Sequence, residues 1–360
     1  MRCSARDRRD PWVVEIVADV NLGNHFGLHD GDEVEIRVPI TRVRTRVRIE
    51  ARLNENRSRR HFSWLISLSF AKRGITLAEK DSMRLKFYGT RGSIPICDAS
   101  FQQFGGNTTC LQITFTDMNR VAIIDAGTGL RNLGRDLRAI GHKQDRIVIG
   151  FTHFHWDHIQ GFPFFAQAYD PGQKITLLTL GRDPTVTDLR EIFEVQMQEE
   201  YFPVQLDRMG ATFEFLQIAD ASTHITGIND VETFVSAQRH NHPGGAYSFR
   251  IERNGKVLVV CTDVEHGEQI DVRLVELARG ADLLVHDAQY TAEELQKRRG
   301  WGHSSFDQAM QVAEMAGVKR LALTHHDPEH DDEFLQRIEK LCQERFPNAV
   351  LAREGMEISL

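Results

Sequence analysis

With 360 residues, the chain exceeds the usual length of one small domain, and this length favours two domains. Its hydrophobic residues (41%) and charged residues (26%) occur in the proportions of an ordinary globular protein, so the composition excludes a disordered, fibrous or membrane-embedded chain. The formal net charge of −7 argues against a surface that grips nucleic acid throughout, although basic residues can still be segregated locally.

The expected location is the cytoplasm, without membrane contact. No segment approaches the ~20 consecutive apolar residues that a membrane-spanning helix needs. The N-terminal segment is basic but lacks the apolar stretch and the cleavage site of a secretory signal. The five cysteines are scattered and never form a C-x-x-C pair, so neither a disulfide framework nor a thiolate zinc site is expected.

Residues 1–82 are predicted to form a small β-rich domain of no recognised family. Residues 13–20, 34–40 and 62–70 are typical of strands. Residues 42–53 alternate between apolar and mostly arginine positions, which is the period-two pattern of a strand with one basic face. This face either binds RNA, a nucleotide or an acidic partner, or is a solvated face whose arginine stems cover apolar surface.

From residue 83 to residue 360 the pattern changes to alternating strands and helices. Apolar runs predict buried strands at residues 121–124, 147–151, 175–180, 257–260, 283–285 and 321–323. Helical periodicity predicts helices at residues 130–140, 187–200, 272–278, 292–298, 305–316 and 332–346. Such alternation predicts a second domain in which sheets are covered by helices.

Four side chains that can bind a metal ion follow the predicted strand at 147–151 within six residues. They are His153, His155, Asp157 and His158. Imidazole and carboxylate groups crowded in this way need partners or shifted pKa values, whereas zinc accepts nitrogen and oxygen ligands at about 2.0 to 2.2 Å. The spacing lets His153 and His155 bind one ion and leaves Asp157 and His158 for a second.

Three further strand ends carry compatible groups. Either His240 or His242 follows the strand before residue 246, Asp263 follows the strand at 257–260, and either His325 or His326 follows the strand at 321–323. Each of these groups alone would more often be structural. Because neighbouring strands can deliver their ends to one edge of the fold, their joint occurrence predicts a shared metal centre.

The sequence resembles the metallo-β-lactamase superfamily over residues 83–360. The H-x-H-x-D-H signature stands intact at residues 153–158, and further matches are Asp-Ala-Gly-Thr-Gly at 125–129 and Asn-His-Pro-Gly-Gly at 241–245. The resemblance implies an α+β fold, the four-layer αββα metallo-β-lactamase sandwich. Residues 286–290 (His-Asp-Ala-Gln-Tyr) and 302–305 (Gly-His-Ser-Ser) are similar to segments of the phosphodiesterase branch, which includes RNase Z and a cyclic-phosphate phosphodiesterase.

The resemblance also implies a ligand set for two zinc ions, with Mn²⁺ as the alternative metal. One ion is held by His153, His155 and His242, the other by Asp157, His158 and His325, and Asp263 bridges them. His242 is preferred over His240 by its spacing to the following strand, with His240 kept as a competitor. His325 is preferred over His326, which is left to support a ligand or contact substrate. Asp125 is expected to steady the His153 loop by hydrogen bonds.

The reaction implied is hydrolysis of a phosphodiester by a hydroxide that bridges the two metal ions. Asp157 is expected to orient the water or take its proton as well as bind metal. His303 is expected to stabilise phosphate charge or protonate the departing oxygen, with Asp287 holding its tautomer. The family position of Asp287 is often glutamate, and the shorter side chain puts the reach of this pair in question.

The expected substrate is a cyclic nucleotide, a cyclic phosphate or an RNA phosphodiester. The alternatives are ester, thioester or lactam hydrolysis on the same fold, RNA 3′ processing as an endonuclease, and a non-enzymatic nucleotide- or nucleic-acid-binding regulator. RNase Z holds tRNA with a long arm, and no such excursion stands out between residues 161 and 257. A homodimer is expected, because related phosphodiesterases are commonly dimers.

Two further features admit an ordinary interpretation beside a functional one. The glycine-bearing loops at 89–93 and 105–109 either present amides to a phosphate or form turns. Trp156 and the phenylalanines Phe162, Phe164 and Phe165 either line a substrate pocket or belong to the core.

Overall fold

The computed structural model describes the strands at residues 2–4, 13–17, 48–50, 64–67 and 222–223 and the segments 83–115, 120–141, 146–180, 188–218 and 233–360. The chain divides into two compact units, Met1–Ala78 and Glu79–Leu360.

The first unit contains a four-stranded antiparallel sheet. Its strands are β1 (Arg2–Ser4), β2 (Val13–Val17), β3 (Arg48–Glu50) and β4 (Trp64–Ser67), in the order β1-β2-β4-β3. β2, β3 and β4 lie within three of the strands predicted from the sequence, whereas the strand predicted at 34–40 lies outside the described residues. The domain boundary at residue 82 and a ligand for the basic strand stay predictions.

The second unit holds the remaining strands and all the α-helices described here. The strands are β5 (Met83–Gly89), β6 (Cys110–Phe115), β7 (Arg120–Ile124), β8 (Arg146–Phe151), β9 (Lys174–Leu180), β10 (Thr212–Ile218), β11 (Ser222–Thr223), β12 (Thr233–His240), β13 (Ala246–Arg253), β14 (Lys256–Cys261), β15 (Leu283–Asp287), β16 (Leu321–Thr324), β17 (Ala349–Leu351) and β18 (Glu357–Ser359). The helices are α1 (Gly129–Ile140), α2 (Trp156–Ile159), α3 (Leu189–Gln196), α4 (Val272–Ala278), α5 (Ala292–Lys297), α6 (Phe306–Ala316) and α7 (Asp332–Arg345).

These strands form two mixed seven-stranded sheets. The first has the order β10-β9-β8-β7-β6-β5-β18, and its strands β7 to β10 are parallel. The second has the order β11-β12-β13-β14-β15-β16-β17, and its strands β14 to β17 are parallel. Because β12 and β14 are each antiparallel to β13, they also end at the same edge of the sheet.

Three apolar layers hold the two sheets and the helices together. Leu85 and Val260 belong to the layer between the sheets, Ile149 and Phe193 to the layer under α1 and α3, and residues of α4, α6 and α7 pack with Leu284 on the other side. Full burial of one such side chain contributes roughly 1.5–3 kcal/mol. The order helix, sheet, sheet, helix confirms the predicted α+β sandwich of four layers.

The predicted elements agree with the structure where the apolar pattern was strong. The helix predicted at 272–278 coincides with α4, and all six predicted strands of the second domain overlap observed ones. The sequence did not predict β10, an edge strand whose residues range from half-buried to exposed and therefore lack a buried apolar run. Within the described residues, no helix combines the length and the apolar character needed to cross a membrane.

Candidate metal centre

Four strands from both sheets deliver the side chains of the site. His153 follows β8 of the first sheet, whereas His242, Asp263 and His325 follow β12, β14 and β16 of the second. Asp157 and His158 lie on the short helix α2, one turn beyond His153. Strands that run in one direction bring the residues after their last positions to the same edge, which is where ligands bind in such sheets.

The seven residues predicted from the sequence come together at this edge as two adjoining groups. Ligand atoms within 4.8 Å of one another belong to His153, His155 and His242 in the first group, and to Asp157, His158, Asp263 and His325 in the second. Their role as metal ligands stays a prediction.

Asp263 lies between the two groups and faces both. Its Oδ1 is 3.7 Å from His153 Nε2 and 3.3 Å from His325 Nε2, and its Oδ2 is 3.2 Å from His158 Nε2. His242 Nε2 lies 3.9 Å from the same Oδ1. One carboxylate therefore reaches nitrogen atoms of both groups, as the predicted bridging role requires.

The backbone at the strand ends is in an unusual conformation. Among the described residues, five non-glycine residues have positive φ, and four of them lie at this site: Ser93 (66°), Asp125 (61°), Asp263 (59°) and His325 (63°). The left-handed region costs a non-glycine residue of the order of 1–3 kcal/mol, and such strain is concentrated at functional sites. Asp125, Asp263 and His325 each come within two residues of the end of a strand, and their side chains belong to the ligand groups or bond to them, whereas Ser93 contacts Asp157 through its amide.

Hydrogen bonds fix the rings of several histidines through their Nδ1 atoms. His153 Nδ1 is 3.1 Å from Thr152 Oγ1, His158 Nδ1 is 2.8 Å from Asp125 Oδ2, and His242 Nδ1 is 2.8 Å from the Gly302 carbonyl oxygen. In each ring the other nitrogen, Nε2, is left facing the centre. His155 differs, because its Nδ1 lies 3.0 Å from His242 Nε2.

Asp125 is fully buried and supports the His153 loop as the sequence suggested. Its Oδ1 accepts the Thr152 amide at 2.8 Å, and its Oδ2 accepts the Thr152 hydroxyl at 2.8 Å as well as bonding to His158. The Asp125 carboxylate thus holds both Thr152, which precedes the first histidine of the signature, and His158, which is its last histidine.

Burial keeps the histidines of the first group neutral. It lowers the pKa of His153 well below its ordinary value, and the nearby His158 adds to this effect. Burial also lowers the pKa of His242. Neutral imidazole is the form that binds a metal ion, so these rings are in the required protonation state.

The second group combines carboxylates with protonated imidazoles. Burial alone would raise the pKa of Asp157 and Asp263, but His158 and its neighbours lower both. Burial opposes protonation of His325 and His158, yet Asp263 and the other carboxylates raise the pKa of His325 to about 9 and that of His158 well above its ordinary value. Protons thus balance a negative charge that a bound cation can balance instead.

Two ring nitrogens show that the donor set fits a metal ion. His153 Nε2 is buried and has no hydrogen-bond partner, and the buried His158 Nε2 faces only the carboxylates of Asp157, at 3.4 Å, and Asp263, at 3.2 Å. An unpaired buried polar atom is costly, and a metal ion satisfies it. His155 is exposed, so the centre is accessible from solvent on that side.

His303 and Asp287 stand next to this centre and contact each other. His303 Nδ1 is 2.8 Å from Asp287 Oδ2, so the shorter aspartate does reach its partner. The amides of Ser304 and Asp263 also donate to Asp287, at 2.8 and 3.1 Å. Ligand atoms of His303 lie within 4.8 Å of those of His242 and Asp263, which places the ring at the border of the centre.

The two competing histidines occupy other positions. His240 is buried outside the two ligand groups, and neither of its ring nitrogens has a hydrogen-bond partner. His326 is also fully buried, its Nε2 bonds to the Ala352 carbonyl oxygen at 2.9 Å, and its ring packs edge-on against Phe104. The suggestion that His326 contacts substrate is therefore not supported.

The loop at 89–93 holds the site instead of presenting free amides. The Thr90 amide donates to Asn107 O at 2.9 Å, the Gly92 amide to His326 O at 3.0 Å, and the Ser93 amide to Asp157 Oδ2 at 2.9 Å. The sequence did not predict this support for Asp157, because a backbone amide carries no signature of its own.

The aromatic residues near the signature divide into two kinds. Phe162 and Phe165 are fully buried in the core, whereas Trp156 is 64% exposed and Phe164 is 58% exposed. Trp301, which sequence analysis did not single out, is 62% exposed two residues before His303. Two exposed tryptophans therefore lie next to site residues in the chain.

A sequence model of the Beta-lactamase superfamily domain matches residues 120–326. Ribonuclease Z from Synechococcus sp. (strain CC9311) is 24% identical over 334 residues, covering 77% of this chain and 99% of that protein. The short form of human tRNase Z is similar in structure, with a TM-score of 0.55 and 20% identity over 77% of this chain and 98% of its own. A diphosphatase from the PhnP family has a TM-score of 0.55 and 18% identity over 77% and 98%.

Proposed function

Because the chain belongs to the beta-lactamase superfamily, we propose that it is a metal-dependent hydrolase that cleaves phosphodiesters with two metal ions. The observation that carries this proposal is Asp263, whose two oxygens face nitrogen donors of two adjoining groups. A single structural ion would need only one such group.

The residues that would hold the two ions are those that the sequence suggested. His153, His155 and His242 would hold one ion, Asp157, His158 and His325 the other, and Asp263 both. Histidine nitrogen combined with carboxylate oxygen suits zinc, with manganese as the alternative.

When bound, the two ions supply Lewis acidity, which lowers the pKa of water and neutralises charge on a phosphate oxygen. The chain supplies position and proton transfer. Asp157 Oδ2 is held by the Ser93 amide at 2.9 Å and by His325 at 3.3 Å, so this carboxylate is fixed where it can orient a water molecule. His303 is held through Nδ1 by Asp287, which leaves Nε2 to donate a proton to a departing oxygen.

Charge favours a small diester over a long polyanion. Residues 83–360 contain 28 Lys and Arg against 39 Asp and Glu, whereas residues 1–82 contain 16 against 12. A catalytic unit with a net charge of −11 gains no long-range attraction for nucleic acid. The proposed substrate is therefore a cyclic nucleotide or a cyclic phosphate.

RNA 3′ processing is the second candidate. It is supported by the alignment with ribonuclease Z from Synechococcus over 99% of that protein and by the excess of Lys and Arg over Asp and Glu in the sequence of residues 1–82. For either candidate function, a homodimer stays a prediction.

Substrate comparison on zinc-loaded protein of known metal content tests the proposal. We expect turnover of bis-aryl phosphate and of cyclic nucleotides, and little turnover of thioesters or β-lactams. Faster hydrolysis of a thioester or lactam than of every diester would contradict the proposal. Efficient cleavage of precursor tRNA with no turnover of small diesters would replace the first candidate by the second.

A further inference from the structure

We propose that Gln289 is a positioning residue, which orients His325 towards the metal centre and is itself oriented by Asp327. This inference rests on the metal centre of the proposed function. It concerns an amide that lies on the far side of the His325 ring from the other ligands.

The hydrogen bonds around Gln289 leave one arrangement. Its Oε1 lies 2.9 Å from His325 Nδ1, and its Nε2 lies 3.3 Å from both Asp327 Oδ2 and Tyr290 Oη. A carboxylate only accepts, so the amide nitrogen must face Asp327 and the amide oxygen must face His325. In neutral His325, which is the form that binds a metal ion, the one ring proton then sits on Nδ1, and Nε2 keeps the lone pair.

The surroundings prevent the ring and the amide from moving apart. Gln289, His325 and Asp327 are all buried. A Cβ atom placed on Gly92 would lie 2.3 Å from His325 Nδ1 and 3.0 Å from Gln289 Oε1, so the loop backbone packs directly against this hydrogen bond. Asp327 is anchored in turn, because its Oδ1 accepts the Glu329 amide at 2.9 Å.

Electrostatic repulsion explains why position 289 carries a neutral amide and not a carboxylate. His325 Nε2 is already 3.3 Å from carboxylate oxygens of Asp157 and Asp263, and its Nδ1 is 3.9 Å from Asp287. A fourth carboxylate in the place of Gln289 would face the Asp327 carboxylate at hydrogen-bond distance, where like charges repel. An amide accepts from His325 and donates to Asp327 without adding charge.

Zinc affinity of the full chain, measured by competition with a chelator, tests this role independently of turnover. Gln289→Leu removes the acceptor at similar volume, and loss of such a partner weakens metal binding about 10- to 100-fold. The control is Gln167→Leu, which removes another buried glutamine, bonded to Gly134 O. We expect the control to bind both ions as wild type does. Wild-type affinity in Gln289→Leu would overturn the inference.

An exchange of the two groups tests the role of Asp327. Gln289→Glu alone sets two carboxylates against each other, and we expect weakened zinc binding. Gln289→Glu combined with Asp327→Asn restores one donor facing one acceptor. We expect the double variant to bind zinc at least tenfold more tightly than Gln289→Glu alone. No recovery in the double variant would overturn the assignment of Asp327. Failure of the wild-type chain to bind zinc would instead remove the proposed function together with this inference.

Discussion

Replacement of Asp125 by asparagine is expected to weaken the second metal site while the fold persists. The carboxylate has no solvent contact, and its two oxygens accept from the Thr152 amide, the Thr152 hydroxyl and His158 Nδ1, each at 2.8 Å. Asparagine tolerates the left-handed backbone conformation at this position, so the substitution changes hydrogen bonding without changing backbone strain.

In either orientation of the new side-chain amide, its NH2 group faces an N–H group, so that two donors face each other. If its nitrogen faces His158, the His158 ring must accept through Nδ1 and carry its proton on Nε2, the atom that faces the centre. If its nitrogen faces the Thr152 amide, a buried backbone donor loses its acceptor, at a cost of about 1–3 kcal/mol. In the first orientation the expected loss is 10- to 100-fold in metal affinity, or about 1.4–2.7 kcal/mol.

The assay is zinc titration against a chelator, combined with denaturant unfolding of the metal-free protein. Asp282→Asn is the matched control, because Asp282 is also buried and accepts the Val257 amide at 2.8 Å, but it lies outside the ligand groups. We expect the control to leave both zinc affinities unchanged. Wild-type affinity at both sites in Asp125→Asn, without loss of stability, would refute the reasoning.

Three further expectations concern catalysis and stability. Asp157→Ala and His155→Ala should each abolish hydrolysis of an aryl phosphodiester while circular dichroism shows an intact fold, and unchanged turnover would count against the ligand assignment. His303→Gln should slow diesters with poor leaving groups more than those with good ones, because a proton donor matters most when the departing oxygen is basic; equal losses would exclude the acid role. Burial, reinforced by His286, lowers the pKa of His266 from 6.5 to about 3. The unfolded chain therefore binds a proton at His266 before the folded chain does. The free energy of unfolding is unaffected by this group above pH 6.5 and falls as the pH falls from 6.5 to about 3. In chelator, wild type should lose about 1.4 kcal/mol more per pH unit than His266→Gln across that interval, and parallel curves would contradict this.

The sequence predicted those parts of the site in which several ligand residues stand close together in the chain or directly follow an apolar strand. The signature at 153–158 is local, and Asp263 and His325 directly follow strands whose apolar runs were plain. The sequence alone could not decide between His240 and His242, because both stand near the end of β12 and only the turn after it brings one ring to the centre.

Other contacts depend on residues that are distant in the chain and leave no pattern in it. The reach of Asp287 to His303 depends on the path of the segment between them, and the hydrogen bond from the Ser93 amide to Asp157 depends on a loop that lies 64 residues earlier in the chain. Nothing in the sequence distinguishes Gln289 from other polar residues, and its contact with His325 is visible only in the folded structure. Tertiary packing decides these contacts, and periodicity does not report on them.

The central claim is that two metal ions share Asp263. Anomalous scattering at the zinc absorption edge, from crystals of the zinc-loaded protein, tests it most directly. The account predicts two peaks, one beside His153, His155 and His242 and the other beside Asp157, His158 and His325, with Asp263 between them. A single peak away from Asp263, or no peak among these seven residues, would contradict it.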